Sequence, residues 1–227
     1  MKRVVLGVIV VTAALAFGAV PVEAQVPGIP VYNAGVPRGI GLYGDVGFPN
    51  DEAGGGTAYA VTGRAGFGPL GATAILSSYN PGGPADSDVY VGATLNYRIF
   101  GGPLVPLAVT LQGGIGYAKP ESGLLFPGGG GDATQLRFPV GVGFALTIPN
   151  PVLAIKPWLA PRLDFVRRSA PGVEADSNNE FALSGGLELN TLGGFGLHAT
   201  YDAVFDEDGT PGVFGIGAHY TFRVPGL

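Results

Sequence analysis

The stretch of sequence that decides the fold is TQLRFPVGVGFALTI, residues 134–148. Its even positions are apolar without exception from Leu136 to Ile148, whereas its odd positions carry Gln135, Arg137 and a series of small residues. Seven apolar residues in strict alternation have the period of a β-strand, in which successive side chains point to opposite faces. The stretch therefore predicts a strand with one apolar face and one face that is polar or small.

The same pattern recurs ten times along the chain and predicts an all-β fold. Tight turns made of glycine and proline, such as Gly68-Pro69 and Pro149-Asn150-Pro151, alternate with longer links such as 118–133. Short turns at one end and long loops at the other are typical of a single antiparallel, up-and-down transmembrane β-barrel. The third strand has the weakest pattern, so an eight-strand barrel is the alternative. The expected strands are 39–48, 57–67, 70–79, 88–100, 104–117, 134–148, 152–168, 180–190, 195–205 and 212–222.

The charges distinguish a membrane barrel from a soluble sandwich. Thirteen charged residues fall within the predicted strands, and only Arg167 shares the apolar face. A charge that faces the middle of a bilayer costs roughly 2–4 kcal/mol, so an almost uncharged face is what insertion requires. The other face is mostly glycine, alanine and threonine, which suits a narrow lumen better than a water-covered surface. Its twelve charges are Asp45, Arg64, Asp88, Arg98, Arg137, Lys156, Arg162, Asp164, Arg168, Glu180, Glu188 and Asp202.

Aromatic residues on the apolar face lie near the strand ends, where two interfacial belts are expected. An outer belt is predicted from Phe48, Tyr59, Tyr117, Phe138, Phe165, Phe181, Phe205 and Phe214. An inner belt is predicted from Phe67, Tyr97, Phe144, Phe195, Tyr220 and Phe222.

The N-terminal segment has the layout of a cleaved signal peptide. Lys2 and Arg3 precede the apolar run 4–20, and Val22-Glu23-Ala24 provides small residues before a cleavage site. A transmembrane helix is the alternative. We expect residues 1–24 to direct secretion across the inner membrane, 25–38 to form an irregular periplasmic lead-in and 223–227 to be a short C-terminal extension. The barrel, 39–222, would then lie in the cell outer membrane.

The composition excludes several classes of protein. Charged residues make up 13% of the chain and hydrophobic residues 46%, which is too apolar for a disordered protein. The absence of cysteine excludes a disulfide scaffold, and the net charge of -5 argues against a nucleic-acid partner. No cofactor-binding motif is present, and no cofactor is expected.

The last predicted strand, GVFGIGAHYTF at 212–222, resembles the C-terminal signal of bacterial outer-membrane proteins. Gly217, Tyr220 and Phe222 fall on the glycine and the two hydrophobic positions of that signal. The whole span 39–222 is similar in architecture to small outer-membrane barrels of the OmpA/OmpX type. The resemblance implies that the barrel assembly machinery recognises this chain during biogenesis.

The lumen charges, six of each sign, predict internal ion pairs that plug the lumen rather than a selective pore. We expect Lys156, Arg162, Asp164 and Glu188 to form the central cluster. If the last hairpin closes symmetrically, His198 and His219 become directly opposed inside the barrel. Such a pair could bind a metal or sense pH, or the two side chains could be ordinary polar residues of the lumen. The full predicted network is Arg64, Arg98, Arg137, Lys156, Arg162, Asp164, Glu188 and Asp202.

Three functions remain open. The first is a structural envelope barrel whose acidic loops contact cations, lipopolysaccharide or the surroundings of the cell. The second is a narrow pore for ions or small solutes. The third is a lipid A- or phospholipid-modifying enzyme, which we do not expect because His198-Ala199-Thr200 only approaches the His-x-Ser motif of such barrels. The acidic loop residues on which the first depends include Asp51, Glu52, Asp206, Glu207 and Asp208.

Overall fold

Ten antiparallel strands close into one barrel, in which each strand pairs with its chain neighbours and the first pairs with the last. The computed structural model describes residues 29–37, 39–81, 87–102, 105–119, 133–148, 150–172, 174–205 and 209–222. The predicted ten-strand barrel is confirmed, and the eight-strand alternative is wrong. The strands are β1 (Gly39–Pro49), β2 (Thr57–Phe67), β3 (Leu70–Asn80), β4 (Asp88–Gly102), β5 (Val105–Ala118), β6 (Thr134–Leu146), β7 (Leu153–Ser169), β8 (Asp176–Thr191), β9 (Phe195–Phe205) and β10 (Gly212–Phe222).

Strand boundaries follow the alternation closely, and the largest difference lies at the start of β8. This strand begins at Asp176, four residues before the predicted position, and Asp176 pairs with Arg168 of β7. The added residues Ser177, Asn178 and Asn179 are all polar, so no alternation revealed them. The weak third strand is complete and pairs in unbroken register with both neighbours.

The exterior of the barrel is apolar between two aromatic belts. Large apolar side chains such as Leu42, Leu95 and Val140 are 57%, 72% and 57% exposed. All fourteen aromatic residues predicted for the belts are exposed as well. Register places Phe138 beside Phe165, and it places Phe48 and Phe205 at the same end of the barrel as that pair. This is the surface chemistry that hydrocarbon requires, and water does not favour it.

The interior contains a segment that the sequence analysis placed elsewhere. Residues 29–37 lie inside the barrel, where Ile29 and Tyr32 are only 2% and 1% exposed. The predicted periplasmic lead-in is therefore wrong for its described part. Side chains of the wall fill an eight-strand barrel by themselves, but a ten-strand barrel is wider and has room for an extra segment. We call residues 29–37 the plug segment.

Several predicted features lie outside the described residues. They are the signal peptide, the first residues of the lead-in, the C-terminal extension at 223–227 and the acidic residues 206–208. Among the described residues, no helix is long and apolar enough to cross a membrane.

A charge on the apolar exterior tests this orientation of the strands. Val140 lies between the two belts on β6, so Val140→Arg should lower the free energy of unfolding in lipid vesicles by roughly 2–4 kcal/mol. Val152→Arg is the matched control, because Val152 lies in the short turn before β7 and is 74% exposed. That control should cost about 1 kcal/mol or less. Equal losses in urea titrations of the two variants would contradict a lipid-facing position for Val140.

Candidate functional site: the barrel lumen

The structure turns nearly all predicted lumen charges inward. Nine of the twelve are buried, Asp45, Arg98 and Lys156 are half-buried, and Arg167 is exposed on the outside. Nine of the twelve charges form three groups at different heights, whereas Asp45, Asp88 and Arg98 bond to His198, Tyr90 and the Gly68 carbonyl. We call the ends of the barrel the long-loop end and the short-turn end.

The middle group is centred on Arg162 of β7. Its Nε donates to Asp164 Oδ1 at 2.9 Å, while its Nη1 and Nη2 donate to the two carboxylate oxygens of Asp202 on β9 at 2.5 and 2.8 Å. Ser184 of β8 bonds to both Arg162 and Asp202. All four residues are at most 3% exposed. A bidentate guanidinium–carboxylate pair of this kind fixes the relative orientation of the two side chains and also balances their charges.

The second group joins opposite sides of the lumen nearer the short-turn end. Arg64 Nη1 on β2 donates to Glu188 Oε1 on β8 at 2.8 Å, and Lys156 Nζ lies 4.0 Å from Glu188 Oε2. The Nη2 atom of the same arginine donates to Asn33 Oδ1 and to the carbonyl of Gly35. Arg64 therefore connects the plug segment to the wall.

The third group lies toward the long-loop end. Arg137 Nη2 and Arg168 Nη2 lie 3.4 and 3.7 Å from the two carboxylate oxygens of Glu180. All three side chains are at most 5% exposed. The lumen thus holds ionic groups along most of its length.

Two details of the predicted network are wrong. Lys156, Arg162, Asp164 and Glu188 do not form one cluster, because Glu188 pairs across the lumen with Arg64 and Arg162 pairs with Asp202. Arg98 stays outside the network, since it lies at the short-turn end of β4 beside a register shift. Its Nη2 donates instead to the carbonyl of Gly68 in the β2–β3 turn at 2.9 Å.

The plug segment is held by polar contacts in addition to apolar packing. Asn33 Nδ2 donates to Thr73 Oγ1 at 3.2 Å, and Gln112 Nε2 donates to the Asn33 carbonyl at 3.1 Å. Tyr32 Oη donates to the Gln112 carbonyl at 3.2 Å, and the Arg162 guanidinium lies 5.0 Å from the centre of the Tyr32 ring. Sequence reasoning missed these residues, because an irregular segment of nine residues carries no periodic signal.

A small cavity lies beside the plug segment. It leaves about 40 Å³ for the centres of water molecules, which is room for a few waters. Asp45, Arg64, Glu188 and His198 contribute to its lining, as does Thr200. The cavity is therefore polar enough to be hydrated.

The two histidines meet beside this cavity, although their register differs from the prediction. His198 lies opposite Gly217 and His219 opposite Gly196, so the hairpin is shifted by two residues from symmetric closure. A shift of two keeps both rings inside, and their Nδ1 atoms are 3.1 Å apart. The opposing glycines provide the room, because a Cβ at either position would collide with the imidazole across from it.

Both histidines are held from behind by oxygen atoms. Asp45 Oδ1 accepts from His198 Nε2 at 2.5 Å, and His219 Nε2 lies 2.8 Å from Asn190 Oδ1. Tyr43 stacks on the His219 ring with centroids 4.5 Å apart. Within the described ranges, no group of three or more His, Cys, Asp or Glu side chains is arranged to hold a metal.

The remaining predicted sites lie at the ends of the barrel. Tyr220 and Phe222 of the assembly signal are exposed on the inner belt, and Gly217 faces inward beneath His198. Asp51 and Glu52 are exposed in a 3-10 turn, Asp51–Ala53, at the long-loop end. Glu52 Oε2 accepts from the Thr210 backbone amide at 2.7 Å, which ties the first long loop to the last.

Comparison with known proteins gives similarity to solved structures. No protein-family model and no curated protein matches this chain. The β domain of the Bordetella autotransporter BrkA matches with 15% identity and a TM-score of 0.49 over 84% of this chain and 100% of that one. The N-terminal β-barrel domain of Pseudomonas aeruginosa OprF matches with 10% identity and a TM-score of 0.38 over 81% and 96%. The Yersinia pestis outer membrane protein Ail matches with 14% identity and a TM-score of 0.38 over 81% and 99%.

Identities this low indicate nothing about activity. The predicted architecture, a single closed barrel of antiparallel strands, is confirmed.

Removing Arg162 should be the most damaging single change in the lumen. Arg162→Leu leaves the buried carboxylates of Asp164 and Asp202 without their counter-charge, and such losses cost about 3–5 kcal/mol. The triple variant Arg162→Leu/Asp164→Asn/Asp202→Asn should regain most of that stability, because no unpaired charge is left. Arg98→Leu is the control, expected to change stability by about 1 kcal/mol or less. Unfolding in urea measures all three, and an Arg162→Leu barrel as stable as the control would contradict the assigned pairing.

Proposed function

We propose that this protein is a closed outer-membrane barrel with a structural or surface-contact role. The apolar exterior between two aromatic belts supports membrane insertion. The predicted signal peptide and the assembly-signal residues Gly217, Tyr220 and Phe222 support delivery to the outer membrane. The bilayer and its lipopolysaccharide would then be the immediate surroundings of the barrel.

The observation that carries the proposal is the filled lumen. The plug segment runs through the interior, with Val36 and Pro37 close to Gly71 and Gly66 at the short-turn end and Ile29 packed deeper inside. Arg64, Gln112 and Thr73 hold it to the wall. Most of the inward charges pair with one another around it, so little space is left for a permeating solute.

A role at the cell surface follows from the long loops. Asp51 and Glu52 are exposed there, and the sequence adds Asp206, Glu207 and Asp208 to the same end. A rim rich in carboxylates attracts divalent cations, which bridge phosphate groups of neighbouring lipopolysaccharide molecules. We therefore favour a contribution to envelope integrity or surface contacts.

A non-enzymatic role agrees with the position of the histidines. His198 and His219 face the lumen, where their rings contact each other and Tyr43. Thr200 lines the same cavity. An enzyme that acts on membrane lipids would need its nucleophile and base within reach of the lipid face.

A narrow pore is the second candidate, and the polar cavity beside the plug segment favours it. If the plug segment shifted, the cavity beside Asp45 and Glu188 would widen into a polar path along the ionic groups. Conduction would then depend on displacement of the plug segment.

Single-channel recording in planar bilayers separates the two candidates. The mature protein should be silent at two salt concentrations, whereas a variant lacking residues 25–37 should show discrete openings, because the lumen would be empty along that path. A variant lacking only 25–28 is the control and should remain silent. The double variant Tyr32→Ala/Asn33→Ala is a second test of whether the plug segment blocks the lumen. It keeps the chain length and removes contacts of the plug segment.

Steady openings of the unaltered protein would overturn the proposal of a plugged lumen and favour the pore. Insertion is verified in every case by the shift in gel mobility between boiled and unboiled samples.

A further inference from the structure

The histidine pair brings its two Nδ1 atoms face to face. Asp45 is a carboxylate and can only accept, so the nitrogen of His198 that faces it, Nε2, carries the hydrogen. In the tautomer in which Asn190 Oδ1 accepts from His219 Nε2, the hydrogen of that ring lies on Nε2 as well. A neutral imidazole has one N–H group, so both Nδ1 atoms are left as acceptors only 3.1 Å apart. Such an arrangement is stabilised by a cation between them.

We propose that His198 and His219 bind one borderline divalent metal ion, such as Zn²⁺, through their Nδ1 atoms. Zinc–imidazole bonds are about 2.0–2.1 Å long, so an ion bonded to both atoms at their present separation makes an N–metal–N angle of about 100°. This angle lies between the square-planar and the tetrahedral values. Because the ring centroids are 5.3 Å apart, the two Nδ1 atoms point almost directly at each other, so both rings must turn toward the ion when it binds.

The surroundings of the pair are those of metal-binding histidines. Ligating histidines commonly donate their second nitrogen to a carboxylate or carbonyl oxygen, which fixes the ring and increases its basicity. Asp45 and Asn190 provide these two oxygens. Tyr43 stacks on His219 and restrains the second ring.

The adjoining cavity completes the coordination. It is lined by His198 and Asp45, so water molecules in it can occupy the open positions of the ion. Glu188 lies directly opposite His198 in the β8–β9 register, and its charge is balanced there by Arg64 and Lys156. The site lies inside the wall whether or not the lumen conducts, so it does not depend on the proposed function.

The chain offers an unusually clean test, because it has two histidines and no cysteine. Titration calorimetry of the refolded, untagged mature protein with ZnCl₂ should give one ion per barrel. His198→Gln and His219→Gln should each weaken binding at least about tenfold. Asp45→Asn, which removes the supporting carboxylate, should weaken it about 10- to 100-fold. Asn190→Asp fixes an oxygen opposite His219 and should retain binding or strengthen it.

Electron paramagnetic resonance with Cu²⁺ gives a second readout. The spectrum should show splitting from two imidazole nitrogens in the unaltered protein and from one in each histidine variant. Asp51→Asn/Glu52→Gln is the matched control, because it removes loop carboxylates and leaves the lumen unchanged. It should keep the two-nitrogen splitting of the unaltered protein, with folding of every variant checked by gel mobility.

Two results would overturn the proposal. One is a folded barrel that binds no Zn²⁺ at millimolar concentration, which would mean that the two rings share a proton only. The other is binding that survives in both histidine variants and falls in the loop control, which would place the ion on the acidic rim.

Discussion

The wall of the barrel is a single sheet, one residue thick, and this constraint governs the rest of the structure. Every residue in a strand faces either the exterior or the lumen. Each face of the sheet must therefore suit its own surroundings, because no second layer of structure covers it. The exterior must be apolar between the two belts. Polar and charged side chains are therefore confined to the inward positions. Each charge there needs a partner, because water has little access.

In a barrel of ten strands, partners for the inward charges are harder to provide. The lumen is too wide for wall side chains alone and too narrow for the open channel of a large porin. The protein fills it with the plug segment and with ion pairs that span it, such as Arg64–Glu188 between β2 and β8. Arg64 belongs to both devices, because it also bonds Asn33 and Gly35. Packing of the plug segment and charge pairing are thus coupled through Arg64, and also through Arg162, which lies over the Tyr32 ring.

The parts of this fold that depend on period two were predictable, and those that depend on the third dimension were not. Alternation located all ten strands and placed Arg167 on the exterior, since the even and odd positions of a strand point to opposite faces. It could not show that Arg64 meets Glu188, because β2 and β8 are distant in the sheet and meet only across the lumen. The histidine contact was foreseen with the register wrong by two residues, an error that parity does not detect. The plug segment was missed because it is short and aperiodic.

The central claim is that the plug segment occupies the lumen, and site-directed crosslinking tests it directly, since the natural chain has no cysteine. The pair Asn33→Cys/Thr73→Cys replaces two side chains that contact each other inside the barrel. A short thiol-reactive crosslinker, followed by mass spectrometry of the folded protein in vesicles, should join these two cysteines. It should not join Asn33→Cys to Ala74→Cys, one residue further along β3 on the exterior face. Absence of the first crosslink, or equal yields for the two pairs, would contradict a plug segment inside the barrel.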